Sequence, residues 1–298
     1  MADLLSSPPG CVLAIDFGGT KVDVAVAGPD GRVLATERLA TDAARGAGQV
    51  VDRALDAAHA LLADRPLLAA AAASPGIVLD DRILLAPNVP GWTELALAER
   101  LRDGLGIQAV VTATDVKAAT LAELRWGALQ GADPGVFLNL GTGLAAGIAI
   151  GGQVLAGAHG AAGEIGYALR GAAGDGPLEE AVGGRALGER LGAASAADAF
   201  ARAESGDPGA IALVDAALDE LAVHVANLAI LVDPQRIAVG GGMMGAADRV
   251  LTALRARLAA VPFPPEIVPA HFVHDAALHG AIALALAAAD HHRGGAAP

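Results

Sequence analysis

The sequence predicts an α/β protein built as two similar halves, and three observations predict it. The first is an apolar run that ends in a small polar turn, Val12-Leu13-Ala14-Ile15-Asp16-Phe17-Gly18-Gly19-Thr20-Lys21. The second is a matching unit in the other half of the chain, Val136-Phe137-Leu138-Asn139-Leu140-Gly141-Thr142-Gly143. The third is that strand and helix signals follow each turn in roughly the same order. Glycines at such turns let backbone N–H groups approach a phosphate with no Cβ in the way. One such turn reads equally well as an ordinary hairpin. Two of them, in separate halves, read as two half-structures around one nucleotide.

In the first half, residues 12–16, 22–27 and 33–38 read as short strands, the last two joined through Gly28-Pro29-Asp30-Gly31. Val51, Leu55, Ala58 and Leu62 recur at helical spacing, and Pro66 closes that helix. A small-residue strand over Leu68–Ala73 ends at Ser74-Pro75-Gly76, a helix is expected over Thr93–Leu105, and a strand over Gln108–Ala113. The order is βββαβαβ. In the second half, strands 136–140, 144–150 and 153–156 are joined by Gly141-Thr142-Gly143 and by Gly151-Gly152, a two-residue hairpin signal. A long helix carries Ile211, Val214, Leu218, Leu221, Val225 and Leu228 on one face and ends at Asp233-Pro234. Arg236–Val239 then reads as a strand running into Gly240-Gly241-Gly242, and 276–290 as a final helix, apolar all round and hence buried.

The 298 residues suffice for two domains with their own cores. With 54% hydrophobic but only 3% aromatic residues, those cores must be built from Ala, Val, Leu and Ile. A formal charge of −13 repels phosphate everywhere except in a local pocket, which argues against a nucleic-acid or anionic-membrane surface. An anionic nucleotide would then be handled by Mg²⁺, backbone N–H groups and a few cations. Cys11 is the sole cysteine, which rules out an intrachain disulfide and a multi-cysteine zinc site. The start of the chain lacks the basic and apolar regions of a secretory signal. The longest apolar stretches, Gly143–Ile150 and Ala281–Ala289, fall short of the ~18 residues a membrane crossing needs. A cytoplasmic protein is expected.

Several segments in order resemble the repressor/open-reading-frame/kinase (ROK) family of sugar kinases, from about Val12 to Ala289. They are Asp16-Phe17-Gly18-Gly19-Thr20-Lys21, Ser74-Pro75-Gly76, Pro87-Asn88-Val89-Pro90-Gly91-Trp92, Thr114-Asp115, Asn139-Leu140-Gly141-Thr142-Gly143, Gly163-Glu164-Ile165-Gly166, Leu178-Glu179, and Asp233-Pro234 leading into Gly240-Gly241-Gly242. The resemblance implies the duplicated actin-like, ribonuclease H-like fold of hexokinase-type ATPases. It implies an N-terminal lobe over residues 1–115, completed by the helix 276–290, and a C-terminal lobe over 116–275. It also implies ATP and Mg²⁺ as cofactors, a small sugar or sugar-like acceptor, and a homodimer.

Phosphoryl transfer to a hydroxyl needs a base, a cradle for the phosphates and a metal to offset their charge. The resemblance makes Asp115 the general base, at the end of a buried strand and before a helix. An Asp at that junction also serves as a plain helix cap. Asp16 is expected to hold Mg²⁺ through a water, with Gly18, Gly19, Thr20 and Lys21 near the transferring phosphate; read alone, Asp16 is a polar strand end. Gly141, Thr142 and Gly143 would meet the β-phosphate from the other lobe. Gly240, Gly241 and Gly242 would lie along adenine and ribose, or else serve simple packing. For the acceptor, the resemblance points to Gly76, Asn88, Thr114, Asp115, Glu164, Tyr167 and Glu179; carboxylates and amides can each bind adjacent hydroxyls. Gly163-Glu164 reads alternatively as a surface turn.

The chain departs from the family in two places. The family places a histidine at position 167 followed by zinc-binding cysteines, whereas this chain has Tyr167 and neither His nor Cys from Ala168 to Pro177. It also has Thr114 where the family has Asn. No zinc site is expected, and a modified sugar or cyclitol joins hexoses as a candidate acceptor. Two other functions stand beside a kinase. A sugar-responsive repressor would need a helix-turn-helix ahead of the first strand, and a non-catalytic sugar-binding protein would have no use for Asp115 with both phosphate turns.

Overall fold

The computed structural model describes residues 10–86, 89–171 and 175–294, which form two compact units. One comprises the chain up to Ala119 together with the part from Ala277; the other is Thr120–Ala276.

In the first unit, β1 (Cys11–Phe17), β2 (Lys21–Ala27) and β3 (Val33–Ala40) form an antiparallel meander. Helix α1 (Ala47–Leu62) then returns the chain to β4 (Leu67–Ser74), which lies parallel to β1. A short hairpin, β5 (Ile77–Val78) with β6 (Ile83–Leu84), precedes α2 (Leu97–Leu105) and β7 (Val110–Thr114), and the sheet order is β3-β2-β1-β4-β7. Central strands covered on both faces carry no polar alternation, which explains Ala69 to Ala73, every one of them buried. Leu13, Ile15 and Phe17 of β1 point with Val22, Val24 and Val26 of β2 into one core, against Val50, Val51, Ala54 and Ala58 of α1. The period of two therefore sends Asp16 and Asp23 to the opposite face. Helix α2 begins at Leu97 rather than at Thr93, because Leu95 N–H closes a turn on Trp92 O and the Trp92 indole donates to Ser74 Oγ at 2.9 Å.

Helix α3 (Asp115–Trp126) leads into the second unit. There β8 (Gly135–Leu140), β9 (Leu144–Ile150) and β10 (Gln153–Val154) form the second meander, β10 being two residues long. After α4 (Glu179–Val182), α5 (Gly184–Leu191), α6 (Ala196–Glu204) and α7 (Pro208–Val232), β11 (Arg236–Gly240) pairs parallel with β8. Helix α8 (Ala247–Leu258) and β12 (Glu266–Pro269) complete a sheet of order β10-β9-β8-β11-β12, the same plan as the first. Helix α7 starts on an Asp207 cap that accepts from Gly209 N–H at 2.9 Å and Ala210 N–H at 3.2 Å, with Pro208 at its first position. Finally α9 (Ala276–Gly294) returns the chain to the first unit, where Gly280 lies so close to Ala118 that a Cβ would overlap the Ala118 carbonyl. No helix among the described residues is long and apolar enough to cross a membrane.

The second unit holds one fully buried carboxylate, Glu123 on α3, which the sequence does not single out. It accepts from Ala128 N–H at 2.6 Å, His271 N–H at 3.1 Å and Phe272 N–H at 2.7 Å, fixing the 271–272 segment against the end of α3. Glu123→Ala leaves those amides without their acceptor. It should lower unfolding stability by about 2–4 kcal/mol, read in urea titration; a loss under ~0.5 kcal/mol would show that water replaces the carboxylate.

Candidate active site

Asp16 stands directly opposite Asp23 in the β1–β2 register and beside Ala73 of β4. Opposed antiparallel residues hold their side chains about 5 Å apart on one face, so two carboxylates confront each other. Asp23 is neutralised by Arg38, with Nε at 2.5 Å and Nη2 at 3.3 Å, and by Lys21 Nζ at 3.0 Å. Burial pushes the Asp23 carboxyl up, but the bonds from Arg38 and Lys21 outweigh it and leave it below the usual range. Among the described residues no cation bonds to Asp16. Burial, then the negative charges of Asp115 and Asp23, push it up to about 7, with Lys21 pulling the other way.

Asp115 is the first residue of α3, immediately after β7. The helix cap is Thr114, whose hydroxyl accepts Lys117 N–H at 3.2 Å, so capping does not account for Asp115. Thr114 is buried and its hydroxyl oxygen accepts that backbone N–H. One Asp115 oxygen accepts Val116 N–H at 2.7 Å. Burial pushes the carboxyl up, against the opposing effects of that N–H and of Lys117.

The first glycine turn is closed by Gly18 N–H on Lys21 O at 2.9 Å, leaving Gly19 and Thr20 exposed. Thr41, a residue missed in the sequence, braces it: its hydroxyl donates to Gly18 O at 2.7 Å and its N–H to Thr20 O at 3.0 Å. Lys21 does not project freely from this turn, since its ammonium is held by Asp23. Gly76 has φ +83°, and a Cβ there would overlap the Leu84 carbonyl, so the turn after β4 demands glycine. Asn88 lies outside the described residues. The nearby Trp92 packs edge-on to Phe17, with ring centroids 5.2 Å apart.

In the second unit, the Gly141-Thr142-Gly143 turn rests on α5. Gly184 N–H donates to Gly141 O at 3.0 Å and Arg185 N–H to Thr142 O at 3.1 Å. Gly141, Thr142 and Gly242 come together as walls of a cavity of about 330 Å³, with Arg185, Ser195 and Met243. Of the three consecutive glycines only Gly242 lines it. A Cβ on Gly240 would lie 2.8 Å from the Phe137 ring, and Gly241 has φ +94° and would press a Cβ on Leu140; both are glycine for packing.

Glu164, Tyr167 and Glu179 converge. Burial first, then the charges of Glu179 and Glu164, push the Tyr167 phenol up. Glu164 is not on a loose surface turn: Gly163 O accepts Ala146 N–H at 2.7 Å, which pins the segment to β9. Glu179 Oε2 accepts Leu144 N–H at 2.7 Å and lies where a Cβ on Gly143 would sit. It thereby joins the phosphate turn to the Glu164 segment. Between Tyr167 and Glu179 the chain is fastened by Arg170, whose Nε and Nη2 bond Glu220 at 2.6 and 3.0 Å. The Leu169–Pro177 bridge closes the same segment. Among the described residues no group of three or more His, Cys, Asp or Glu is placed to hold a metal.

The ROK family model matches residues 12–288, and the chain belongs to that family. N-acetylmannosamine kinase of Shigella boydii serotype 18 is 35% identical over 294 residues, covering 92% of this chain and 97% of the relative. The crystal structure of a ROK hexokinase from Thermus thermophilus matches with TM-score 0.79 and 28% identity, over 94% of this chain and 99% of that one. A ROK family glucokinase from Streptomyces griseus, solved with glucose and AMPPNP, matches with TM-score 0.77 and 28% identity, over 93% and 99%. The duplicated, actin-like fold expected from the sequence is therefore the fold of this chain.

Asp16 carries a measurable cost. Because its folded value lies near 7, above an ordinary carboxylate, the folded protein binds more protons than the unfolded chain between those two values. Stability therefore falls as pH rises through that window and stays low above it. Asp16→Asn should raise the unfolding temperature of the ligand-free protein at pH 8, by at most about 4 kcal/mol in stability, and flatten the slope between pH 4 and 7. Equal melting of the two proteins at pH 8 would refute the strain assigned to Asp16.

Proposed function

We propose that this chain transfers the γ-phosphate of ATP to a hydroxyl of a hexose or hexose-like acceptor, with Asp115 as general base. The observation that carries the reading is the placing of Asp115 with Asp16: two carboxylates within electrostatic reach, both raised, at the ends of β1 and β7 on either side of β4. A base for an alcohol gains strength as its pKa rises toward the working pH. Burial does this for Asp115, and the Val116 amide steadies one oxygen while leaving the other to take a proton. The kinase names of the relatives support the same reaction, and N-acetylmannosamine and glucose are the first acceptors to try.

The site suits Mg²⁺. Its donors are hard carboxylate oxygens, and the proton that burial, with the charges of Asp115 and Asp23, keeps on Asp16 is one a divalent cation displaces. When bound with ATP, the metal would offset charge on the phosphates, held by Asp16 through a water. The rest falls to the protein: Gly18, Gly19 and Thr20 offer an exposed turn to the transferring phosphate. Lys21 acts by holding Asp23. Gly141, Thr142 and Gly143 receive the remaining phosphates, and Gly242 borders the nucleoside. Glu164, Tyr167 and Glu179, with Asn88 and Gly76, bind the acceptor. Tyr167, 53% exposed beside two carboxylates, stands where the family carries histidine, and this favours a modified sugar or cyclitol as the second reading. Both acceptor and ATP are cytoplasmic metabolites, and the reaction belongs in that compartment.

ADP release with ATP, Mg²⁺ and a panel of hexoses, N-acyl amino sugars and cyclitols tests the reading. Turnover should appear with at least one acceptor. Asp115→Asn should cut it by about 10²–10⁴-fold while ATP still binds, and near-normal turnover would remove Asp115 from the chemistry.

The same reading includes a homodimer. Val223, Ile230 and Leu231 on α7 are 40%, 59% and 84% exposed, apolar surface that a second copy would cover. Light scattering should give twice the chain mass, with Leu231→Glu shifting it toward the monomer; a monomeric wild type would dismiss the dimer.

A further inference from the structure

Arg185 lines two cavities of the second unit. Its root is fixed, since its own N–H donates to Thr142 O at 3.1 Å and the preceding Gly184 is tied to Gly141 O at 3.0 Å. A Cβ on Gly184 would lie 2.5 Å from the Gly141 carbonyl, so the contact between turn and helix is close and leaves the base of Arg185 little play. The head of the side chain is nearly idle. Its Nε stands 3.9 Å from Glu189 Oε1, with the two side chains 57% and 73% exposed, whereas a charge-assisted N–H···O bond runs about 2.7–2.9 Å. Arg190, which shares the larger cavity, is by contrast bound to Ala181 O at 3.0 Å.

The two cavities differ in charge. The larger, about 460 Å³, is lined by Glu179, Glu180 and Glu189 and repels phosphate. The smaller, about 330 Å³, has no carboxylate among its described lining residues, and Arg185 is its cation. Its other walls are alanines, glycines, Ser195, Met243 and the Thr142 turn. An apolar recess of that volume beside a glycine turn and one guanidinium fits a nucleoside whose phosphates leave toward the turn. In a chain of net charge −13, a loosely held arginine at that point is the cation available to them.

We infer that Arg185 is a nucleotide ligand whose guanidinium binds the phosphates of the nucleoside triphosphate seated in the smaller cavity. The inference rests on the kinase reading above and names a contact which that reading does not contain. The planar fork can bridge two phosphate oxygens while the Thr142 turn offers its N–H groups.

Calorimetric titration of the full chain with Mg·ATP, Mg·ADP and adenosine tests it, on the wild type, Arg185→Ala and Arg185→Lys. Arg185→Ala should weaken ATP and ADP about tenfold or more and adenosine hardly at all, with an unchanged melting temperature. Arg185→Lys should fall between, because it keeps the charge and loses the fork. ATP affinity of the wild type should also drop more steeply with salt than that of the alanine variant. Unchanged ATP affinity in Arg185→Ala would overturn the inference. So would an equal loss for adenosine, which would make Arg185 a partner of the base. A wild type that binds no Mg·ATP would bring down the kinase reading itself, a result distinct from either.

Discussion

The confrontation of Asp16 with Asp23 across β1 and β2 is the constraint around which the first unit is arranged. Antiparallel register leaves no freedom here: a slip of β2 by one residue would turn Asp23 into the core occupied by Leu13, Ile15 and Phe17. The repulsion is resolved unequally. Arg38 reaches Asp23 from the next strand and Lys21 from the same one, so that Asp23 stays ionised and Asp16 is left uncompensated. A carboxylate in that condition binds whatever brings positive charge, a proton in the free protein or a cation when one is supplied. The third strand contributes to the site without touching it: Arg38 spends its charge on Asp23, and Thr41, just beyond β3, holds the glycine turn in shape.

The second unit repeats the strand plan but solves a different problem. Its turn carries no acid corresponding to Asp16, since Asn139 stands near the end of β8. Instead, Glu179 is folded beneath the turn, one oxygen on the Leu144 amide and its carboxylate in the space that side chains at Gly143 and Gly166 would occupy. Glycine at 143 is thus a matter of room for a carboxylate. Any shift of Glu179 on binding an acceptor is felt at the Leu144 amide, one residue beyond the turn.

The sheets were legible because turns punctuate them: Gly141-Thr142-Gly143 admits little but a turn, and Ala69 to Ala73, a run that propensity alone would give to a helix, runs straight into Ser74-Pro75-Gly76. Helices α5 and α6 escaped because their buried faces are short and made largely of glycine and alanine, and their places are set by packing on α7 rather than by periodicity. Of the candidate site, the sequence marked Asp16 and Asp115, beside strand ends, and Glu164, in the turn ahead of Ile165–Tyr167. It missed Thr41, Glu123 and Arg185, whose roles come from partners far away in the chain. A threonine ahead of an acid reads in the sequence equally as a cap and as a ligand, and the Lys117 amide shows the cap.

The segment between Tyr167 and Glu179 shows what the departure from the family pattern costs. The family resemblance implies a stretch fastened by cysteines around zinc, whereas the sole cysteine here is Cys11, in another unit. The fastening present is the Arg170–Glu220 pair, backed by Arg170 Nη1 on Asp175 O at 2.7 Å and by Leu178 N–H on Ala168 O at 3.0 Å. The electrostatics agree from both sides: hydrogen bonding to Glu220 raises the guanidinium, and the bond from Arg170 lowers the carboxyl. A structural zinc contributes on the order of 10 kcal/mol to the fold that holds it. A bidentate ion pair about a quarter exposed contributes closer to 1–3 kcal/mol and weakens with salt. Tyr167 and Glu179, which flank this stretch, are therefore tethered by an interaction several times weaker than a metal centre. The acceptor side of the site has more freedom to reshape than the carboxylate side, where register alone fixes Asp16.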